Sequence, residues 1–306
     1  MRIPTITSYT GIRNDTLEAK EAFHKKQLQV TTGLSFLERS DKPGTGAEAA
    51  EVEEQQRQTL QFQENVVGGL NWIKTSGSSL EQLTEIMQNA KELMSASNTG
   101  VNPPEFRKDQ GDQLDSLIEQ ALQVSTNRFG STYLFSGTAT DQEPYTPTRD
   151  ADGRITAVTY NGDANTERRK TQFDGNTSVE YGELAGGVDG LFEATSQGVD
   201  IFANLIALRD ELLAGDPPSI ANGDQLEVNL DHVIGKLTES GVKQKWFESR
   251  ESSLNSIRNI QESQLGKMKG VDMARAITEL TELQTAFQAS LQMINRTDQM
   301  SILNFI

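Results

Sequence analysis

Large apolar residues recur every seventh position late in the chain, at Met273, Leu280, Phe287 and Ile294, with Ile277 and Leu291 between them. The gaps hold Gln, Thr, Glu, Asn and Ala, all compatible with helix. Such spacing lines the big side chains along one narrow stripe. The stripe continues through Met300, Ile302, Leu303, Phe305 and Ile306, where chains usually turn polar. At about 1.5 Å per residue, a helix over 272–304 would span on the order of 50 Å, more than a modest compact domain is wide. It could be the last core helix of a bundle, docked on its own chain. Its length and apolar ending favour a helix whose core is completed by other copies of the protein.

The opening segment, 3–37, carries the same spacing at Tyr9, Thr16, Phe23, Val30 and Leu37, helped by Ile6, Ile12 and Leu17. Pro4 stands where it would open a helix rather than break one. Arg13, Lys20 and His24 dilute the stripe, so this segment is too polar to persist as an isolated helix. Both ends therefore read as half-built coiled coils. Their candidate assembly face is Tyr9, Phe23, Val30, Met273, Leu280, Phe287, Leu291 and Ile294.

Between the ends, Ser40-Asp41-Lys42-Pro43-Gly44-Thr45-Gly46 reads as a loop. Heptad positions then run through Val52, Thr59, Val66, Ile73, Leu80, Met87 and Met94, predicting one long helix or two stacked ones over 47–94. Gly68-Gly69 and Gly77 mark bends or close approaches of a neighbour. A further helix is expected over 104–128, packed antiparallel on the preceding one. From Asn127 the pattern changes to aromatic and β-branched residues with glycines, and Asp152-Gly153 and Asn161-Gly162 supply hairpin turn signals. Helical patterns return at 199–214 and 222–268, with Gly266 and Gly270 as a joint before the last helix.

The expected fold is mainly α with a β-rich insertion: a helical bundle domain, a small antiparallel β domain in the middle, and terminal helices forming a coiled-coil rod. The expected parts are an assembly helix over 1–40, rod over 41–136, a projecting β-rich domain over 137–190, rod again over 191–270, and a second assembly helix over 271–306.

Composition sharpens this picture. Only 35% of residues are hydrophobic and 6% aromatic, which implies a thin, extended core. A net charge of −16 without a basic patch disfavours nucleic acid as a partner. The absence of cysteine removes disulfides and thiolate chemistry. No apolar run reaches membrane-spanning length, so no membrane partner is expected, and the first residues lack a secretory signal pattern.

Candidate chemistry is sparse. Gly44, Gly46 and Ala49 match a dinucleotide fingerprint, but the required strand does not precede them. A self-contained nucleotide-binding domain or enzyme using that loop is the competing reading, and calorimetry would test it. His24 and His232 stand apart outside any zinc motif and read as surface or edge residues. Trp72 and Trp246 read as rod-core residues. No catalytic constellation, cofactor or metal site is expected.

Several stretches together resemble the flagellin superfamily. They are the MRI start, Thr-Thr-Gly-Leu at 31–34, and Asp41-Lys42-Pro43, where that family often has Asp-Asp-Pro. With them go NRFGSTYLFSGT at 127–138, YNGDANTERR at 160–169, ITELTELQTAFQASLQ at 277–292 and SILNFI at 301–306. The resemblance implies a non-enzymatic structural subunit of the bacterial flagellum joining hook to filament, a filament flagellin being the alternative. It also implies export through the flagellar type III apparatus to the extracellular flagellum. The implied partners are copies of itself, a hook-side junction protein, flagellin and an export chaperone. An unrelated coiled-coil scaffold, ordered at both ends in isolation, is a further reading.

Overall fold

The computed structural model describes residues 5–98, 102–162 and 167–303, with the side chains of 5–9 and 297–303 outside the description. Among the described residues, six α-helices frame eight short strands: α1 (Thr5–Thr32), α2 (Pro43–Ser97), α3 (Pro104–Ser125), β1 to β8, α4 (Ile201–Ala214), α5 (Ile220–Lys269) and α6 (Met273–Leu303). The chain divides into two compact units, one formed by 1–59 with 256–306 and the other by 60–255. Helices α2 and α5 contribute to both.

In the larger unit the α2 heptad does what its spacing predicts. Val66, Ile73, Leu80 and Met87 are all buried. The glycines at 68, 69 and 77 do not interrupt α2, because its neighbours hold it. A Cβ on Gly69 would lie 2.5 Å from Phe247 Cε1, so the close approach there is made by a ring of α5. Pro103 and Pro104 start α3 where a missing amide costs nothing. Asp200 caps α4 by accepting from the Ala203 amide at 2.9 Å, and Gly215, at φ 85°, ends it.

The insertion consists of four two-stranded antiparallel hairpins: β1–β2 (Arg128–Phe129, Thr132–Tyr133), β3–β4 (Tyr145–Arg149, Ile155–Tyr160), β5–β6 (Lys170–Gln172, Ser178–Glu180) and β7–β8 (Glu193–Ala194, Val199–Asp200). Asp152-Gly153 turns β3 into β4, with Gly153 at φ 86°. Asn161-Gly162 turns no hairpin, since β5 pairs with β6. Asp174 makes that turn by accepting from the amides of Asn176 at 2.9 Å and Thr177 at 2.7 Å. Tyr145, Phe192 and Phe202 meet edge-on or stacked at 5.1 to 5.8 Å and join the insertion to α4. Burial, then the Glu193 charge, push the Tyr145 hydroxyl far above the ordinary phenol range, so it remains a donor to the Ala185 carbonyl.

Several expectations need correction. The first helix stops at Thr32 rather than near Leu37, because Gly33 takes φ 73° and bonds back to the Gln29 carbonyl. The fingerprint glycines lie inside α2, which Pro43 opens, so 43–46 is helix rather than loop. His232 is buried with both ring nitrogens bonded. Trp72 is a core residue, packed with Leu80 and Met87 and edge-on to Phe129 and Tyr181, but Trp246 keeps 40% of its area exposed and lies edge-on to Phe173 and Phe247. Pro4, Phe305 and Ile306 lie outside the described residues.

Candidate assembly surface

Helices α1 and α6 pack on each other within the smaller unit. The buried and half-buried positions of α1 include Ile12, Thr16, Ala19, Phe23, Lys26 and Val30, a strict alternation of four and three. On α6 the matching set is Ala276, Leu280, Leu283, Phe287, Ser290 and Ile294. This is the seam spacing of two helices wound together. Phe23 and Phe287 stack across it with ring centroids 6.1 Å apart. Lys26 reaches Glu279 at 2.7 Å, and Arg275 donates to the same carboxylate at 2.8 Å. Lys26 first and Arg275 next hold the Glu279 carboxyl below its ordinary range.

The seam uses only part of the apolar surface. Leu17 keeps 50% of its area exposed, Met273 42%, Ile277 50%, Leu291 42% and Met293 59%. Among the described side chains of the pair, only Thr16 and Ala276 are buried. The single stripe read from the sequence is thus two adjacent ones. Leu280, Phe287 and Ile294 turn toward α1, while Met273, Ile277 and Leu291 form an outward strip. The cause is position: Ile277 and Leu291 each follow a seam residue, Ala276 and Ser290, and so stand about 100° around the helix from it, while Met273 is the first residue of α6. Of the eight candidate residues, the structure brings Phe23 and Phe287 into contact and leaves Met273 and Leu291 exposed. Val30, Leu280 and Ile294 are half-buried, and the Tyr9 side chain lies outside the description. Sequence reasoning missed Leu17 and Met293 as outward residues. Each lies off the heptad and is legible only once the partner helix is placed.

At the base of the pair, the two connecting segments are tied together. The Ser35 amide donates to the Lys269 carbonyl at 2.6 Å, and the Val271 amide to that of Gly33 at 3.0 Å. Lys269 also pairs with Glu53. Both entry points of the helix pair are therefore held at one level by backbone bonds.

Among the described residues, no group of three or more His, Asp or Glu is arranged to hold a metal ion. No helix there is long and apolar enough to cross a membrane. What the surface can do chemically is exchange water for apolar contact. Completing the burial of a half-exposed Leu or Ile contributes about 1 kcal/mol, so the outward strip offers several kcal/mol per copy.

The bacterial flagellin N-terminal helical region matches residues 3–140, and the C-terminal helical region matches 224–306. Flagellar hook-associated protein 3 of Escherichia coli K12 is 24% identical over 314 residues, covering 95% of each chain. The Salmonella typhimurium protein of that name is 22% identical over 320 residues, covering 99% of this chain and 98% of that one. In fold, the chain resembles a putative flagellar hook-associated protein from Vibrio parahaemolyticus, with a TM-score of 0.63 and 16% identity over 75% of this chain and 100% of that one. It also resembles Bacillus cereus FlgL, with a TM-score of 0.57 and 16% identity over 70% and 98%.

Proposed function

The chain belongs to the bacterial flagellin family, and from that premise we propose that it is a structural subunit of the flagellum that joins hook to filament. Relatives matched over nearly their whole length carry the name flagellar hook-associated protein 3, which supports the junction role over that of a filament flagellin. The observation that carries the reading is the outward strip of Met273, Ile277 and Leu291 beside a seam already closed by α1. A helix pair this thin buries too little surface to be firm alone and gains most when neighbouring copies cover the strip.

On this reading, Tyr9, Phe23, Val30, Met273, Leu280, Phe287, Leu291 and Ile294 serve assembly in two ways. The seam members fix the pair, and the outward members meet the next subunit. Segments 1–40 and 271–306 carry the assembly helices α1 and α6, 41–136 and 191–270 are mainly helical support, and 137–190 is the β-rich part, extended on either side by hairpins β1–β2 and β7–β8. The protein is exported through the flagellar type III apparatus and assembles outside the cell. Its partners are its own copies, a hook-side junction protein, flagellin and an export chaperone. Loosely held terminal helices suit passage through a narrow channel, and the absence of cysteine suits changing redox conditions. The role is structural rather than enzymatic, as the relatives' names support.

Leu291→Asp tests the reading, because it places a charge on the strip without touching the larger unit. Secreted variant that stays folded in 60–255 but fails to enter flagella is the expected result. Filaments growing normally on the variant would overturn it. Seeding separates the alternative: a filament flagellin elongates seeds into long filaments, and a junction subunit alone does not.

A further inference from the structure

Of the chain's two histidines, His24 is exposed on α1 while His232 is buried on α5. His232 holds the segment 186–198, which carries β7, against the helix. Its Nε2 lies 2.9 Å from the Gly190 carbonyl oxygen, and its Nδ1 lies 3.0 Å from Gln197 Oε1. Both partners are oxygens that only accept. A neutral imidazole has one N–H, and an imidazolium has two.

The nitrogen of the Gln197 side-chain amide is the end nearer Asp189. Gln197 Nε2 points at Asp189 Oδ1 at 3.5 Å, and Asp189 is held by Lys236 at 2.8 Å and Arg168 at 2.6 Å. Burial works against the Asp189 charge, but Lys236 and then Arg168 outweigh it, so its carboxyl stays below the ordinary range and remains an anion wherever imidazole titrates. When His232 is neutral, either a ring lone pair faces a carbonyl oxygen or the Gln197 amide reverses. Reversal turns the Gln197 carbonyl toward the Asp189 carboxylate. Each arrangement sets two lone pairs against each other.

The surrounding charges come from both sides. His232 lines a cleft of 550 Å³ together with Asp189 and Gln197 from the segment and Asp231, Lys236 and Glu239 from its own helix. Behind them Glu183, 4% exposed at its side chain, meets Lys243 at 2.6 Å and Arg168 at 3.6 Å. Leu191, Phe192 and Ala194 anchor the middle of the segment in the core. Its exposed end, 195–197, is held by the Thr195 amide to the Gly187 carbonyl at 3.0 Å, the Ser196 amide and hydroxyl to that of Val188 at 3.2 and 2.6 Å, and the Gln197 amide to that of Ala194 at 3.0 Å.

We propose that His232, Gln197 and Asp189 form a proton-operated latch that tightens the exposed end of the segment, 195–198, against α5 when the imidazole carries two protons and loosens it when one leaves. The latch is independent of the flagellar role. It is tested on the full chain by histidine-labelled NMR and hydrogen exchange over the same pH series, with exposed His24 as the internal reference. The expected result is a several-fold loss of amide protection at Thr195 and Ser196, beyond the intrinsic pH effect, centred where the His232 ring signals titrate. His232→Gln and Gln197→Leu should each abolish that step while the rest of the larger unit keeps its protection. A His232 ring that titrates without the step, a ring that does not titrate, or the same step in His232→Gln would each overturn the proposal.

Discussion

Gly69 shows how one missing methyl group positions two helices. Its Cβ would lie 2.5 Å from Phe247 Cε1, and Phe247 is fully buried with Val66, Leu70 and Ile73 around it. Phe247 is fully enclosed, so atoms added at Gly69 must displace the ring, its neighbours or the backbone. Gly69→Val should cost about 1–3 kcal/mol, as overpacking of filled cores does, read as a lower urea midpoint for the larger unit. An unchanged midpoint would mean that α2 and α5 do not meet there. Arg209 is the polar counterpart. Buried on α4, it donates to Asp115 and Asp210 at 2.7 Å each and to the Ile155 carbonyl at 2.6 Å, so a β4 backbone group finds its partner on a helix. Burial opposes its charge, yet Asp115 and Asp210 outweigh that and hold its proton more firmly than usual.

At the scale of elements, the α1–α6 pair is bound partly by charge, and its pH response follows from Glu279. Lys26 and Arg275 lower that carboxyl in the folded pair, so its contribution is complete above the unfolded value of 4.5. As pH falls from there through the folded value, the contribution is lost. In the assembled protein, where the pair is formed, protection of the terminal helices should therefore weaken below about pH 4.5, and Glu279→Gln should lack that part of the transition. A variant with an unaltered acid response would place the ion pair outside the pair's stability.

Much of this level is legible in the sequence. The heptads of α2, the break before Pro104 and the Asp152-Gly153 turn each follow from local rules that tertiary structure leaves alone. Other features are decided by partners. The last stripe reads as one face because spacing says nothing of where the opposing helix lies, and α1 divides it. Gly44 and Gly46 look like a loop by propensity, yet Pro43 starts a helix that the packing of Ala49 and Val52 sustains. His232 looks peripheral because its two acceptors, Gly190 and Gln197, are 42 and 35 residues away in sequence. The β5–β6 turn was signalled by Asp174-Gly175, hidden beside the stronger Asn161-Gly162.

At the scale of the whole molecule, the two units differ in how completely each buries its own apolar residues. The larger has a continuous core from Leu80 and Met87 through Phe135, Phe192 and Phe202 to Leu226 and Val233. Among its described residues the smaller buries only Phe36, Ala49, Val52 and Ala276 of its hydrophobic side chains and leaves Leu17, Ile277, Leu291 and Met293 facing water. The larger, though it too exposes Ile220 and Val242, has a core of its own. That asymmetry is the physical signature of a subunit with one self-sufficient part and one part finished by its neighbours. Hydrogen exchange on the dilute chain, compared with the same chain in assembled flagella, tests it most directly. The account predicts almost free exchange over 5–32 and 273–303 in the dilute chain, slow exchange in the core of 60–255, and strong protection of both terminal helices after assembly. Terminal helices already as protected as the core in the dilute chain would contradict it.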